Sequence, residues 1–162
     1  MLGRFQQLAL TGQELSGTNS SEPVEGWVEV NGSADRLAGL FMTLGPDQAD
    51  GAQAARATHS QLCFSRIHHG PEGFYGQQAV TRRLIVNPNN EATECALDLY
   101  RGDGTRTGGS FRGVIAPGGL LSGSIEDLFG VSSINGGYVV ARVNDPDLVG
   151  ITGVRVGRTA EG

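Results

Sequence analysis

Thr93-Glu94-Cys95-Ala96-Leu97-Asp98-Leu99-Tyr100-Arg101, running into Gly102-Asp103-Gly104, is the stretch whose reading decides the fold. Cys95, Leu97 and Leu99 alternate with Ala96, Asp98 and Tyr100, the period of two that marks a half-buried strand. The Gly-Asp-Gly that follows tolerates positive φ and turns the chain back. Outward from this stretch, similar short runs predict strands at 61–68, 80–87, 110–116, 137–143 and 148–156. Asn87-Pro88-Asn89-Asn90 and Asp145-Pro146-Asp147 supply further turns. Such even spacing predicts an all-β chain, an antiparallel β-sandwich of six or seven strands and Ig-like size, over residues 60–157. Leu84, Val86, Leu97, Leu99, Val139, Ala141 and Ile151 are its expected shared core. One short helix is expected at Ser124–Phe129, capped by Ser124 through the amide of Asp127 and ended by Gly130.

The chain also repeats itself. Leu10-Thr11-Gly12-Gln13-Glu14-Leu15-Ser16-Gly17 reads against Ala116-Pro117-Gly118-Gly119-Leu120-Leu121-Ser122-Gly123, an offset of 106 (116 minus 10). Gly26-Trp27-Val28 and Leu37-Ala38-Gly39-Leu40 read against Gly137-Tyr138-Val139 and Leu148-Val149-Gly150-Ile151, an offset of 111 (137 minus 26). On this alignment the first copy lacks the short helix, and hairpins 26–44 and 137–156 are equivalent. A period near 110 suits tandem sandwich-sized modules rather than a solenoid. The expected organisation is a hairpin-bearing C-terminal half of a preceding repeat at 1–44, a linker at 45–59, a complete module at 60–157 and a tail at 158–162. The connector has an alternative reading as a short Ala-rich helix around Ala52–Ala57. The orphaned half must either dock on the module through Trp27, Val28, Val30, Leu37, Leu40, Phe41 and Leu44 or remain poorly ordered, and the chain reads as a fragment of a larger protein.

Net charge is −5, and all twelve basic residues are Arg, with Arg82-Arg83 the one basic pair. That balance argues against a nucleic-acid partner, which requires clustered positive charge. No run approaches the ~20 apolar residues of a membrane span. Cys63 and Cys95 fall in two predicted strands. A disulfide would fit an oxidising compartment. Strand parity instead turns Cys63 outward, if Leu62 and Phe64 face in, and leaves two free thiols.

The order of the elements resembles tandem Ig-like or fibronectin-like β-sandwich repeats of bacterial secreted and surface-attached proteins. A strand ends in an Asn-Pro turn (Leu84-Ile85-Val86-Asn87-Pro88), and an alternating strand enters Gly102-Asp103-Gly104. Pro117-Gly118-Gly119, an amphipathic turn ending in Leu128-Phe129, and a closing hairpin with Gly137-Tyr138-Val139 and Leu148-Val149-Gly150 follow. The resemblance implies a secreted or cell-surface module without catalytic residues, cofactor or metal. Its partners would be neighbouring modules of the same chain, with surface glycans or proteins as a second class.

Candidate chemistry is sparse. His68 and His69 are adjacent, so strand alternation sends their rings to opposite faces; with His59 they complete no familiar metal spacing. They are read as a strand end before a Gly70-Pro71 turn. Asp98, Asp103, Asp145 and Asp147 are read as turn and strand residues rather than calcium ligands, for want of a dedicated loop spacing. No Gly-x-Ser-x-Gly elbow or Cys with a nearby base is present. Trp27 and Tyr138, at equivalent positions in the two copies, are the repeated aromatic platform, for a ligand or for module contact. The function expected is that of a non-enzymatic extracellular spacer or adhesion module. The alternatives are a carbohydrate-binding module and an accessory domain of a secreted hydrolase.

Overall fold

A computed structural model of the chain describes residues 8–17, 27–30, 40–45, 48–53, 59–74, 77–143 and 149–151. In chain order the elements are α1 (Gly12–Ser16), β1 (Leu40–Gly45), β2 (Gln48–Gln53), β3 (Gln61–Phe74), β4 (Gln77–Ala79), β5 (Arg82–Val86), β6 (Thr93–Tyr100), β7 (Arg106–Ile115), β8 (Leu120–Ser124), α2 (Ile125–Phe129), β9 (Ile134–Val143) and β10 (Val149–Ile151). The fold is an all-β sandwich of antiparallel sheets. A five-stranded sheet runs β4-β3-β9-β6-β7, a three-stranded sheet runs β10-β5-β8, and β1 and β2 pair with each other.

Period-two alternation builds the core. Cys95, Leu97 and Leu99 of β6 point inward with Val139 and Ala141 of β9, Phe64 and Ile67 of β3, and Ile85 of β5. Ile125, Leu128 and Phe129 of α2 close one side. That turn forms as its sequence predicts: Ser124 accepts from the amide of Asp127, the Asp127 carboxylate returns the bond, and Gly130 ends it at φ 65°. Gly123 is required beneath it, because a Cβ there would lie 2.7 Å from Leu128 Cγ.

Several expectations are corrected. In β5 the buried parity is Thr81, Arg83, Ile85 and Asn87, with Val86 also buried and Leu84 only half-buried. Asn87 sets that parity. Its amide nitrogen donates to the carbonyls of Glu91 (2.8 Å), Ile115 (3.0 Å) and Ala116 (3.3 Å), and its Oδ1 accepts from Asn89 N. The apolar residue expected beside it gives way to Arg83. β3 continues through Gly70-Pro71 to Phe74, because Gly70, at φ 104° and at a point where an added Cβ would lie 2.7 Å from the Ser132 carbonyl oxygen, bends the strand without ending it. β8 has no counterpart among the expected strands; its Leu-Leu-Ser-Gly-Ser lacks β-branched residues, and pairing with β5 along its whole length makes the strand.

The closing hairpin is also different. β9 is flanked by β3 and β6, while β10 crosses to pair with β5, Val149 opposite Val86 and Ile151 opposite Leu84. Residues 27–30 form no strand, and the N-terminal hairpin is β1–β2, so part of the expected 45–59 linker is strand. The 158–162 tail and the Ala54–Ala57 part of the alternative helix lie outside the described residues. Near the N-terminus, α1 carries the short helix that the first copy was expected to lack. Thr11 caps Glu14 N, Glu14 caps Thr11 in return, and Gly17 ends the turn at φ 64°.

Candidate interaction face

The outward positions of the five-stranded sheet hold its most elaborated side-chain array. Because Cys95, Leu97 and Leu99 face the core, Ala96, Asp98 and Tyr100 must face out. Register then lines up partners from neighbouring strands. Asp98 lies opposite Val140 of β9 and Ser110 of β7, and Val140 lies opposite Cys63 of β3. One step along, Ala96 lies opposite Arg142 and Arg112, and at the far end Tyr100 lies opposite Tyr138 and Arg106.

Asp98 is the centre of this array. Its Oδ1 accepts from Arg106 Nη2, and its Oδ2 accepts from Arg142 Nη1 at 3.0 Å, so one carboxylate ties three strands together. Next to it the rings of Tyr100 and Tyr138 stack at 4.9 Å between centroids and 6° between planes. The arrangement offers guanidinium edges and one outer ring face on each tyrosine to a partner laid across the sheet.

The positions singled out from the sequence separate. Tyr138 joins Tyr100, whereas Trp27 donates from Nε1 to the Gly118 carbonyl at 3.0 Å, in the turn before β8. Ile115 pairs with Thr93 and Tyr138 with Tyr100, at opposite ends of β6, about 23 Å apart at ~3.3 Å per residue. Trp27 thus meets the turn beyond one end of β6, and Tyr138 lies at the other end. Val28 and Val30 stay exposed, and the other apolar side chains of the expected docking set lie outside the described ones. Cys63 is exposed and Cys95 buried, both as free thiols; burial pushes the Cys95 thiol up to about 11.

Asp103 organises the Gly102–Gly104 turn by accepting from the Thr105 amide (2.9 Å) and hydroxyl (2.7 Å), bonds that hold its carboxyl below the usual range. Asp145 and Asp147 lie outside the described residues. Among the described residues no group of three His, Cys, Asp or Glu is placed to hold a metal ion. His68 meets Asn135 Oδ1 through Nδ1 at 2.9 Å, while His69 is buried with Nε2 3.8 Å from Glu126.

Sequence reasoning missed a second polar group, inside the sandwich. Arg83 is 1% exposed, its Nη1 donates to the Arg82 carbonyl at 3.2 Å, and its guanidinium carbon sits 5.4 Å from the Phe64 ring centroid. Nε and Nη2 have no hydrogen-bond partner among the described residues, and neither does His69 Nδ1. Burial pulls the guanidinium down to about 10. The signal was present as Arg82-Arg83 at the head of an apolar run. Only the register of β5 shows which arginine turns in.

No protein-family model and no curated protein matches the chain. Among solved structures it is similar to the Anabaena sensory rhodopsin transducer, at 14% identity and a TM-score of 0.46, over 58% of this chain and 97% of that one. No helix among the described residues is long and apolar enough to cross a membrane.

Proposed function

We propose that residues 60–157 are a non-enzymatic β-sandwich module that serves as a spacer and adhesion element in a larger extracellular bacterial protein. The observation that carries this reading is the direction of its first and last strands. β3 begins at Gln61, opposite Arg142 near the end of β9, and the Ser60 carbonyl accepts from Val143 N at 3.0 Å. Asn87 and Ile115 lie at that same end, since the Asn87 side chain bonds the Ile115 carbonyl and Thr93 pairs with Ile115. β10 starts opposite Val86 and runs away from this end toward Leu84. Tension therefore enters at one end of the sandwich and leaves toward the other. It slides β3 along β9 and β10 along β5, so several backbone hydrogen bonds bear load together instead of opening one at a time.

The extracellular placement is supported by the order of the Asn-Pro, Gly-Asp-Gly and Pro-Gly-Gly turns. Two of these meet: Asn87 N donates to the Gly119 carbonyl at 3.0 Å, and Gly118 N to the Asn89 carbonyl at 3.3 Å. Adhesion would use the outward array around Asp98 and the tyrosine pair.

Single-molecule stretching tests the reading. Handles at residues 60 and 152 should give one rupture releasing on the order of 300 Å, at ~3.3–3.6 Å per extended residue. Handles at 60 and 144 load the same end of β3 and β9 and should open the module at clearly lower force. Equal forces in the two geometries would reject a load-bearing role.

The stacked Tyr100–Tyr138 pair favours a second reading, carbohydrate binding, since flat ring faces accept sugar rings. A glycan screen with the wild-type chain and Tyr138→Ala tests it. Retention of any glycan that is independent of Tyr138 would reject that site.

A further inference from the structure

Two five-residue helices of this chain are built alike, yet one is buried in a core and the other stands in solvent. α1 and α2 each begin at a hydroxyl N-cap, Thr11 at φ −77°, ψ 161° and Ser124 at φ −74°, ψ 169°. Each carries a reciprocal acid at N3, Glu14 and Asp127, and each ends on a left-handed glycine, Gly17 at φ 64° and Gly130 at φ 65°. The offset is 113 (124 minus 11, and 130 minus 17), close to the 111 that relates Trp27-Val28 to Tyr138-Val139.

Equating the helices replaces the offset of 106, which set Leu15 against Leu121, and brings the apolar residues into a new register. Leu8 corresponds to Leu121, Leu15 to Leu128, Val28 to Val139 and Val30 to Ala141. In the module these positions serve the core, Leu128 at 9% exposure and Val139 at 0%, with Leu121 packed against it. Their N-terminal counterparts, with Leu10, are from 45% (Leu10) to 73% (Val30) exposed. Leu121, Leu128 and Val139 share that core with Phe64 and Ile67 of β3, Ile85 of β5, Leu97 and Leu99 of β6, and Phe111 and Ile115 of β7. The chain's own copy of that set is already covered by β8, α2 and β9.

We propose that residues 8–17 and 27–30 belong to a docking half, and that their occupant is the front half of a sister sandwich: a polypeptide segment with the strand and turn pattern of residues 61–119. The proposal rests on reading the chain as a module in a series. Docking would bring the partner's counterpart of Tyr100 against Trp27, as Tyr100 stacks on Tyr138. Trp27 would then leave the Gly118 carbonyl it bonds here.

The test is a fusion in which a second copy of residues 60–119 is placed ahead of Leu8 of the whole chain. Amides of residues 8–17 and 27–30 should gain at least 100-fold protection from hydrogen exchange, and Trp27 emission should shift to the blue. Leu15→Asp in the fusion should abolish both changes while leaving the unfolding midpoint of the 60–157 module where it was. Changing the added copy's equivalent of Leu97 to Asp should do the same. Unchanged exchange at 8–17 in the fusion would overturn the proposal, whether the added copy stays unfolded or displaces the native front half. Protection that survives Leu15→Asp would overturn it equally. The stretching experiment reads residues 60–152 alone, so its failure and the failure of docking are separable.

Discussion

Replacing Arg83 by Met should make the protein more stable, although it deletes a charged residue from a fully buried position. Burial strips water from the guanidinium and pulls it down from its ordinary value to about 10, and that fall, at 1.36 kcal/mol per pKa unit, corresponds to a cost of about 3 kcal/mol. Two contacts offset it. The bond from Nη1 to the Arg82 carbonyl contributes about 1 kcal/mol, and the approach to the Phe64 ring about 0.5–1 kcal/mol. Met keeps most of the apolar stem against Phe64 and buries no donor. The net expectation is a gain of about 1 kcal/mol, which at ~1–3 kcal/mol per molar moves the urea midpoint up by roughly 0.5 M. The sign of the pH dependence follows from a folded pKa below the unfolded one. The cost is constant while both states are protonated and fades only as pH rises above about 10 toward the ordinary guanidinium value. The gain from Arg83→Met should therefore be flat from pH 5 to pH 9. A loss of about 3–5 kcal/mol, the cost of breaking a buried ion pair, would refute the reasoning and reveal a carboxylate partner for Arg83.

Leu97→Ala should lower stability by roughly 2–5 kcal/mol in chemical denaturation, since Leu97 is fully buried in the shared core; a near-wild-type midpoint would contradict its placement. Gly137→Ala places a Cβ 2.6 Å from the Tyr100 carbonyl and 2.5 Å from Ile134 Cδ1, and should cost about 1–3 kcal/mol by thermal melting, accompanied by shifts in the tyrosine resonances. In the folded protein one thiol, Cys63, should react with a thiol reagent at neutral pH, while Cys95, with its thiol pushed up to about 11, should react only once urea has opened the core. Asp98→Asn should cost less than about 1 kcal/mol and lose that effect in high salt, because Arg106 and Arg142 are partly exposed; a larger loss would mean that the carboxylate staples the sheet.

Where side chains alternate cleanly, the fold could be read directly. β6 and the inward residues of β9 follow from period two, and α2 follows from Ser124, Asp127 and Gly130, whose spacing leaves little choice of conformation. β5 could not be read this way, because its buried parity contains an arginine, a threonine and an asparagine. Binary patterning takes Leu84 as the inward residue, and only the hydrogen bonds of Asn87 reverse it. β8 and β10 owe their strand character to pairing with β5, a property of the assembled sandwich that no local run of Leu-Leu-Ser-Gly-Ser encodes. The interaction face was half legible: alternation puts Asp98 and Tyr100 on one surface, but their partners Arg142, Arg106 and Tyr138 come from registers over sequence separations of up to 44 residues.

The three residues of β10 also determine how this protein would aggregate. β5 is an interior strand only while Val149–Ile151 remain beside it. Once they leave, Leu84, Ile85 and Val86 become a bare margin of apolar, β-forming sequence with open donors and acceptors, the kind of template on which foreign strands grow. Solubility on storage should then track the grip of this short strand, and core mutations that leave β10 in place should matter far less to clumping than to melting.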